Sequence, residues 1–214
     1  MAIIHILGGT GYSGAAIAAE AARRGHDVTS VSRRLPEDRV EGVRYVTADV
    51  TDSAALDAAI AGAEVVVGAL SPRGDMVGAL PAAYARAAAS TARSGARLVV
   101  VGGFGSLRPA PDTPRIFEGE DFPAEYVGES RELGAVLDGL VGEATGDWVY
   151  VSPPMIYGAH FPGEATGRYR SGGEIALTSD DGSPTIISGA DFARAVVDEI
   201  ESSAHHRAHL SFAG

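Results

Sequence analysis

Gly8-Gly9-Thr10-Gly11-Tyr12-Ser13-Gly14, GGTGYSG, follows directly on the apolar run AIIHIL that begins at Ala2, and it opens an alanine-rich stretch of helical length. Glycines at 8, 11 and 14 have distinct uses in a strand-to-helix turn. The first permits a tight turn, the second lets backbone amides approach a pyrophosphate, and the third lets helix and strand pack closely. The pattern predicts a dinucleotide site at the first turn of a βαβ unit. The whole loop is its expected contact, through Gly8, Thr10, Gly11, Tyr12, Ser13 and Gly14.

Outward from this loop, short apolar runs alternate with alanine-rich segments, as around a buried parallel sheet. Strands are predicted at AIIHIL, DVTSVS from Asp27, VRYVTA from Val43, EVVVGAL from Glu64, RLVVVGG from Arg97 and WVYVSP from Trp148. Helices are predicted near Ser13 to Arg24, Ser53 to Ala61, Met76 to Ser94 and Ala124 to Glu143, with Pro81 either opening or kinking the third. Beyond Pro154 the chain turns glycine-rich, with an Asp181-Gly182 pair suited to a hairpin, then a helix near Ala190 to Ser202 and a short strand HLSF. The expected fold class is α/β, a doubly wound parallel sheet in one domain over 1–214. Its nucleotide-binding half covers about 1–103 and a small substrate-covering region about 104–214.

Composition narrows the function classes. The 214 residues hold 17 basic and 28 acidic side chains, a net charge of −11, which opposes binding to a phosphate backbone. No nucleic-acid partner is expected. Every one of the 17 basic residues is arginine, and cysteine is absent, so lysine Schiff bases, the P-loop lysine, thiolate nucleophiles and disulfides are excluded. No apolar run reaches the ~18 residues of a membrane span and the first residues lack a basic leader, so a soluble cytoplasmic protein with no membrane partner is expected. Neither a metal site nor a G-x-S-x-G nucleophile is expected. His205, His206 and His209 read as solvated turn residues, His5 as a structural residue of the first strand, and Glu118, Glu120 and Asp121 as a solvated acidic loop.

At the end of the second strand stand Ser32-Arg33-Arg34, where an NAD-specific domain offers an acid to the ribose. A guanidinium matches a 2′-phosphate, so NADP(H) is expected over NAD(H) through Arg33 and Arg34, although both also suit a solvated surface. Asp49, followed by Val50, either meets the adenine edge or caps a turn.

GGTGYSG, Arg33-Arg34, GGFGSL (102–107), DFPAEY (121–126), DWVYVSPP (147–154) and GRYRSGGE (167–174) together resemble the atypical short-chain dehydrogenases. Within them the chain is similar to the NAD(P)H-binding group of putative NADH-flavin reductases, to biliverdin-IXβ/flavin reductase and to NmrA-like proteins. The resemblance implies a Rossmann-type fold. It places Ala69, Leu70 and Ser71 beside the adenosine and diphosphate, and Gly103, Phe104 and Pro153 beside the nicotinamide. Phe104, Met155, Tyr157, Tyr169 and Arg170 are then the expected acceptor pocket.

Carbonyl-reducing relatives use a tyrosine acid with a lysine four residues on. Here Tyr126 stands near that place as the catalytic candidate, but position 130 is Ser130. The expected activity is therefore hydride transfer to a flavin-like, quinone-like or other conjugated acceptor that takes its proton from solvent, with FMN or another flavin as substrate. A non-catalytic NmrA-like sensor of NADP(H) is the alternative, and an epimerase or dehydratase a third. The expected partner is a small conjugated molecule, and a homo-oligomer is compatible with the sequence.

Overall fold

The computed structural model describes residues 1–142 and 144–214. The predicted end of the fourth helix at Glu143 lies outside them.

Six parallel strands build the first part of the sheet: β1 (Ile3–Leu7), β2 (Asp27–Ser32), β3 (Val43–Thr47), β4 (Val65–Gly68), β5 (Arg97–Val101) and β6 (Trp148–Ser152). Two more follow, β7 (Arg170–Gly172) and β8 (Ala208–Ala213), of which β8 pairs parallel with β6 and β7 antiparallel with β8. The order β3-β2-β1-β4-β5-β6-β8-β7 reverses between β1 and β4, the switch point beside which ligands bind in doubly wound sheets. The interior strands are β-branched and buried on both faces: Val65–Gly68, Arg97–Val101 and Trp148–Ser152 expose almost nothing.

Helices cover both faces: α1 (Tyr12–Arg23) and α5 (Gly189–Ser202) on one, α2 (Ser53–Ile60), α3 (Leu80–Ser94) and α4 (Ala124–Gly142) on the other. Ile4, Ile6, Val67, Val99 and Val151 bury against Ile17, Phe192 and Val196 of the first pair. Leu7, Val66, Val100 and Tyr150 bury against Leu56, Tyr84, Leu133 and Leu137 of the second group. His5, in the middle of β1, hydrogen-bonds through Nδ1 to the Ala59 carbonyl at 2.8 Å, the structural role expected of it.

Local chemistry sets the helix ends. Asp52 caps α2 by accepting from the Ala55 amide, and Ser188 caps α5 by accepting from Asp191. Gly95 ends α3 at φ 77°, a left-handed cap that costs glycine least.

One sequence expectation needs correction, and others gain detail. The third helix begins at Leu80, not Met76. Gly74–Met76 is a separate 3-10 turn, Gly78 breaks the path at φ 79°, and Pro81 sits in the first turn of α3, opening rather than kinking it. The Asp181-Gly182 turn forms, with Gly182 at φ 81° and its amide donating to the Ser179 carbonyl, but only the single bridge Thr178–Pro184 extends it. The ordered strand of that region is instead β7, an antiparallel edge strand that alternation alone did not locate.

Two glycines mark where tyrosines support the strand ends. A Cβ on Gly68 would lie 2.3 Å from the Tyr84 ring, and one on Gly102 would lie 2.0 Å from the Tyr150 ring. Gly102→Ala is therefore expected to lower stability by about 1–3 kcal/mol, because the buried ring has nowhere to move. Gly139→Ala, whose Cβ meets open space inside α4, should raise it by about 0.5–1 kcal/mol. Urea unfolding of the two variants beside the parent checks both signs.

Candidate functional site

The loop between β1 and α1 is shaped by contacts that leave no room for side chains. Gly8 sits at φ 78°, and a Cβ there would lie 2.5 Å from the Ala69 carbonyl oxygen. One on Gly14 would lie 2.3 Å from the Gly8 oxygen, so α1 starts hard against the end of β1. Gly9, which the motif spacing does not single out, is equally confined, 2.4 Å from the Ser30 hydroxyl by the same construction. Gly11 differs. It is exposed, at φ −75°, and its Cβ would meet only the Gly8 oxygen at 3.4 Å. The space in front of Gly11 is kept open toward solvent rather than filled by protein.

No side chain caps α1, and among the described residues the amides of Thr10, Tyr12, Ser13 and Gly14 donate to no other group of the chain. Uncapped amides at the positive end of a helix, reached over an open glycine, suit a pyrophosphate. The side chains of Tyr12 and Ser13 turn elsewhere. Ser13 Oγ and the Tyr157 hydroxyl lie 2.8 Å apart, while the Tyr12 hydroxyl accepts from the Gly189 amide at 3.0 Å and donates to the Pro162 carbonyl at 3.2 Å. The glycine loop is thus fastened to the C-terminal part of the chain by its own side chains, leaving its amides on the open side.

The other predicted contacts occupy the same carboxyl edge. Ala69 and Leu70 follow β4 half-buried, and Ser71 is exposed; the Leu70 amide donates to the Tyr84 hydroxyl at 3.2 Å. Gly103 and Phe104 follow β5, the latter opening a 3-10 turn, and Pro153 follows β6, buried. Because β1, β4, β5 and β6 are neighbours in the sheet, these four loops form one continuous row. Arg33 and Arg34 follow β2, both exposed, and Arg33 pairs with Asp75 at 3.0 Å. Asp49 follows β3 and accepts from the Thr51 amide and hydroxyl, at 3.0 and 2.7 Å. Those two bonds, with the nearby Arg33 charge, hold its carboxyl below the usual range, while Val50 is buried beneath it.

The acceptor residues named from the sequence do not gather in one place. Phe104 and the exposed Met155 stand on the row of loops. Tyr157 is committed to Ser13 and to edge contact with Tyr12, and burial pushes its hydroxyl pKa up. Tyr169 packs edge-on against Phe212 and donates to Asp198 at 2.7 Å, so its ring belongs to the core on the α5 side. Arg170 lies on the edge strand β7, donating to the Gly214 and Thr178 carbonyls. A concavity of about 440 Å³ lined by Tyr12, Glu20, Arg23, Pro162 and Gly189 lies beside α1. The amide donors, rather than that hollow, mark the candidate site.

Tyr126 stands in the first turn of α4, 52% exposed, and its hydroxyl bonds no group among the described residues. One turn further on, Ser130 is buried against Gly105, whose Cβ would lie 2.7 Å from the serine hydroxyl. Ser106 is buried too, 3.0 Å from the Tyr150 hydroxyl, which donates to the Leu133 carbonyl. Burial raises Tyr150 to about 12, consistent with a structural phenol.

Of the three clustered histidines, one needs correcting. His205 pairs with Glu199 at 2.7 Å and His206 with Asp147 at 2.9 Å, but His209 is a residue of β8, not of a turn. Its Nε2 lies 2.9 Å from Ser152 Oγ and its ring meets Tyr150 edge-on. Burial first, then Arg115 and Arg108, lower its pKa to about 4. Among the described residues, no group of His, Asp and Glu is arranged to hold a metal, and no helix is long and apolar enough to cross a membrane.

Fold and edge together define a Rossmann-type protein built to hold a dinucleotide. The chain belongs to the NAD(P)H-binding family, whose model matches residues 8–203. It is 31% identical over 205 residues to the uncharacterized protein YwnB of Bacillus subtilis, covering 94% of this chain and 93% of that one. Among solved structures it is similar to a putative NADH-flavin reductase from Streptococcus pneumoniae, with TM-score 0.90, 28% identity, and 100% and 99% of the two chains covered. It is also similar to a putative exported protein from Burkholderia pseudomallei, with TM-score 0.87, 35% identity and both chains covered in full.

Two outcomes follow from this geometry. Gly11→Val should fold with nearly parental stability yet lose most of its dinucleotide affinity, whereas Gly14→Val should lose both; thermal melts and NADPH titration separate the two. His209 stays neutral in the native state down to about pH 4 but takes up its proton near 6.5 when unfolded. Stability should therefore fall by up to about 3 kcal/mol as pH drops from 6.5 to 4, then level off, and His209→Asn should flatten that segment of the curve.

Proposed function

We propose that this protein is an NADPH-preferring reductase that passes hydride to a flat conjugated acceptor, a flavin or a quinone, which draws its proton from solvent. The observation that carries the reading is the state of the position where a proton donor is needed. Tyr126 is exposed with no basic partner among the described residues, and Ser130, four residues on, is buried where carbonyl-reducing relatives carry lysine. Among the described residues no group bonds that hydroxyl to hold or pass on its proton, so acceptors that need an enzyme-supplied proton are disfavoured. An epimerase or dehydratase, which relies on the same tyrosine and lysine pair, is disfavoured for the same reason.

In this reading the amides at the start of α1 hold the pyrophosphate and Arg33, aided by Arg34, takes the 2′-phosphate. Asp49 and Val50 border the adenine, and Ala69, Leu70 and Ser71 border the ribose and diphosphate. Gly103, Phe104 and Pro153 orient the nicotinamide ring, which when bound supplies the hydride. Phe104 and Met155 offer an aromatic and a polarizable surface to the acceptor and keep water from its face. The similarity to a putative NADH-flavin reductase supports this class of chemistry.

The test is oxidation of NADPH and of NADH with FMN, riboflavin and a quinone as acceptors, binding being measured on the same samples. Turnover with at least one acceptor is expected, with Tyr126→Phe retaining at least about half of kcat. A collapse of kcat in a folded Tyr126→Phe would restore the phenol as the acid. Tight binding with no turnover across the panel would replace the reductase by an NADP(H) sensor.

A further inference from the structure

Arg33 does not stand free for a ligand. Its Nη1 lies 3.0 Å from Oδ2 of Asp75, a residue 42 positions away in the 3-10 turn Gly74–Met76. The Asp75 side chain is 93% exposed and that of Arg33 46%, so the pair contributes at most about 1 kcal/mol to folding. Asp75 makes no other hydrogen bond among the described residues. The segment that carries it is fastened without it: Arg73 donates to Glu129 at 3.1 Å, the Gly78 amide donates to Glu132 at 2.8 Å, and Met76 is buried. Removing the Asp75 carboxylate would therefore leave the loop where it is and change only the charge facing Arg33.

We propose that Asp75 is a built-in competitor for the 2′-phosphate on Arg33 and sets how strongly the protein discriminates NADPH from NADH. The proposal rests on the role given to Arg33 above. A carboxylate presents the guanidinium with the same negative oxygens as a phosphate, and an entering phosphate must displace it and then share the neighbourhood with it. NADH carries a neutral hydroxyl at that position and has no quarrel with the pair. Asp49 adds a second carboxylate within the field of Arg33, so the Arg33 guanidinium already faces two acids before any ligand arrives. Without Asp75 the sites for the two cofactors should separate further in affinity; with it, the protein accepts both more evenly.

The experiment is titration of NADPH and NADH onto the parent, Asp75→Asn and Arg33→Gln, followed by quenching of protein fluorescence or by calorimetry at low and high salt. Asp75→Asn should bind NADPH about three- to tenfold more tightly at low salt and NADH within twofold of the parent, the gain shrinking as salt screens the site. An unchanged NADPH affinity in Asp75→Asn while Arg33→Gln abolishes the preference for NADPH would overturn the proposal and leave the role of Arg33 intact. An unchanged cofactor ratio in Arg33→Gln would overturn both.

Discussion

The Gly8 carbonyl lies where a side chain on Gly14 would begin, and the rest of the molecule depends on that contact. Because neither residue has a Cβ, α1 starts directly against the end of β1, and its first amides are left without partners among the described residues. The same closeness lets α1 lie flat on the sheet beside α5, burying Ile17 and Ala21 with Phe192 and Val196. One steric constraint thus serves both core packing and the placement of four unclaimed donors.

Around that contact the strand ends are supported from below by hydroxyls. Tyr84 reaches under Gly68 to the Leu70 amide, and Tyr150 reaches under Gly102 to Ser106 and the Leu133 carbonyl. Each ring fills the space of an absent side chain, and each hydroxyl satisfies polar groups that the loops would otherwise leave buried. Tyr12 and Ser13 complete the scheme from the other face, tying the glycine loop to Gly189, Pro162 and Tyr157. Four hydroxyl side chains that a motif scan would read as ligand contacts or spare aromatics therefore act as struts.

Charge is divided between the two edges of the sheet. At the amino edge, buried Arg97 is held by Glu199 and its carbonyl, and Glu199 in turn by His205, joining β5, α5 and the turn before β8 into one network. Burial works against the Glu199 carboxylate, but its bonds to His205 and Arg97 outweigh that and keep it ionised. At the carboxyl edge the charges are exposed and loosely paired, as Arg33 with Asp75 and Arg73 with Glu129. The first arrangement suits a fixed scaffold, and the second suits an edge whose partners can be exchanged for a ligand.

The sequence by itself determined the parallel sheet, the glycine loop and the class of cofactor, because each has a local signature: buried β-branched runs, and glycine at a spacing that only close approach explains, set between a strand and a helix. It also showed, in the absence of lysine, which chemistry to leave aside. It could not show that Tyr157 and Tyr169 belong to the core on the α5 side, that His209 lies in a strand against Tyr150, or that Arg33 already holds an acid from 42 positions away. Those facts depend on which surfaces meet once the sheet has formed. A side chain's type limits what it can bond, but only the tertiary structure decides which partner arrives first.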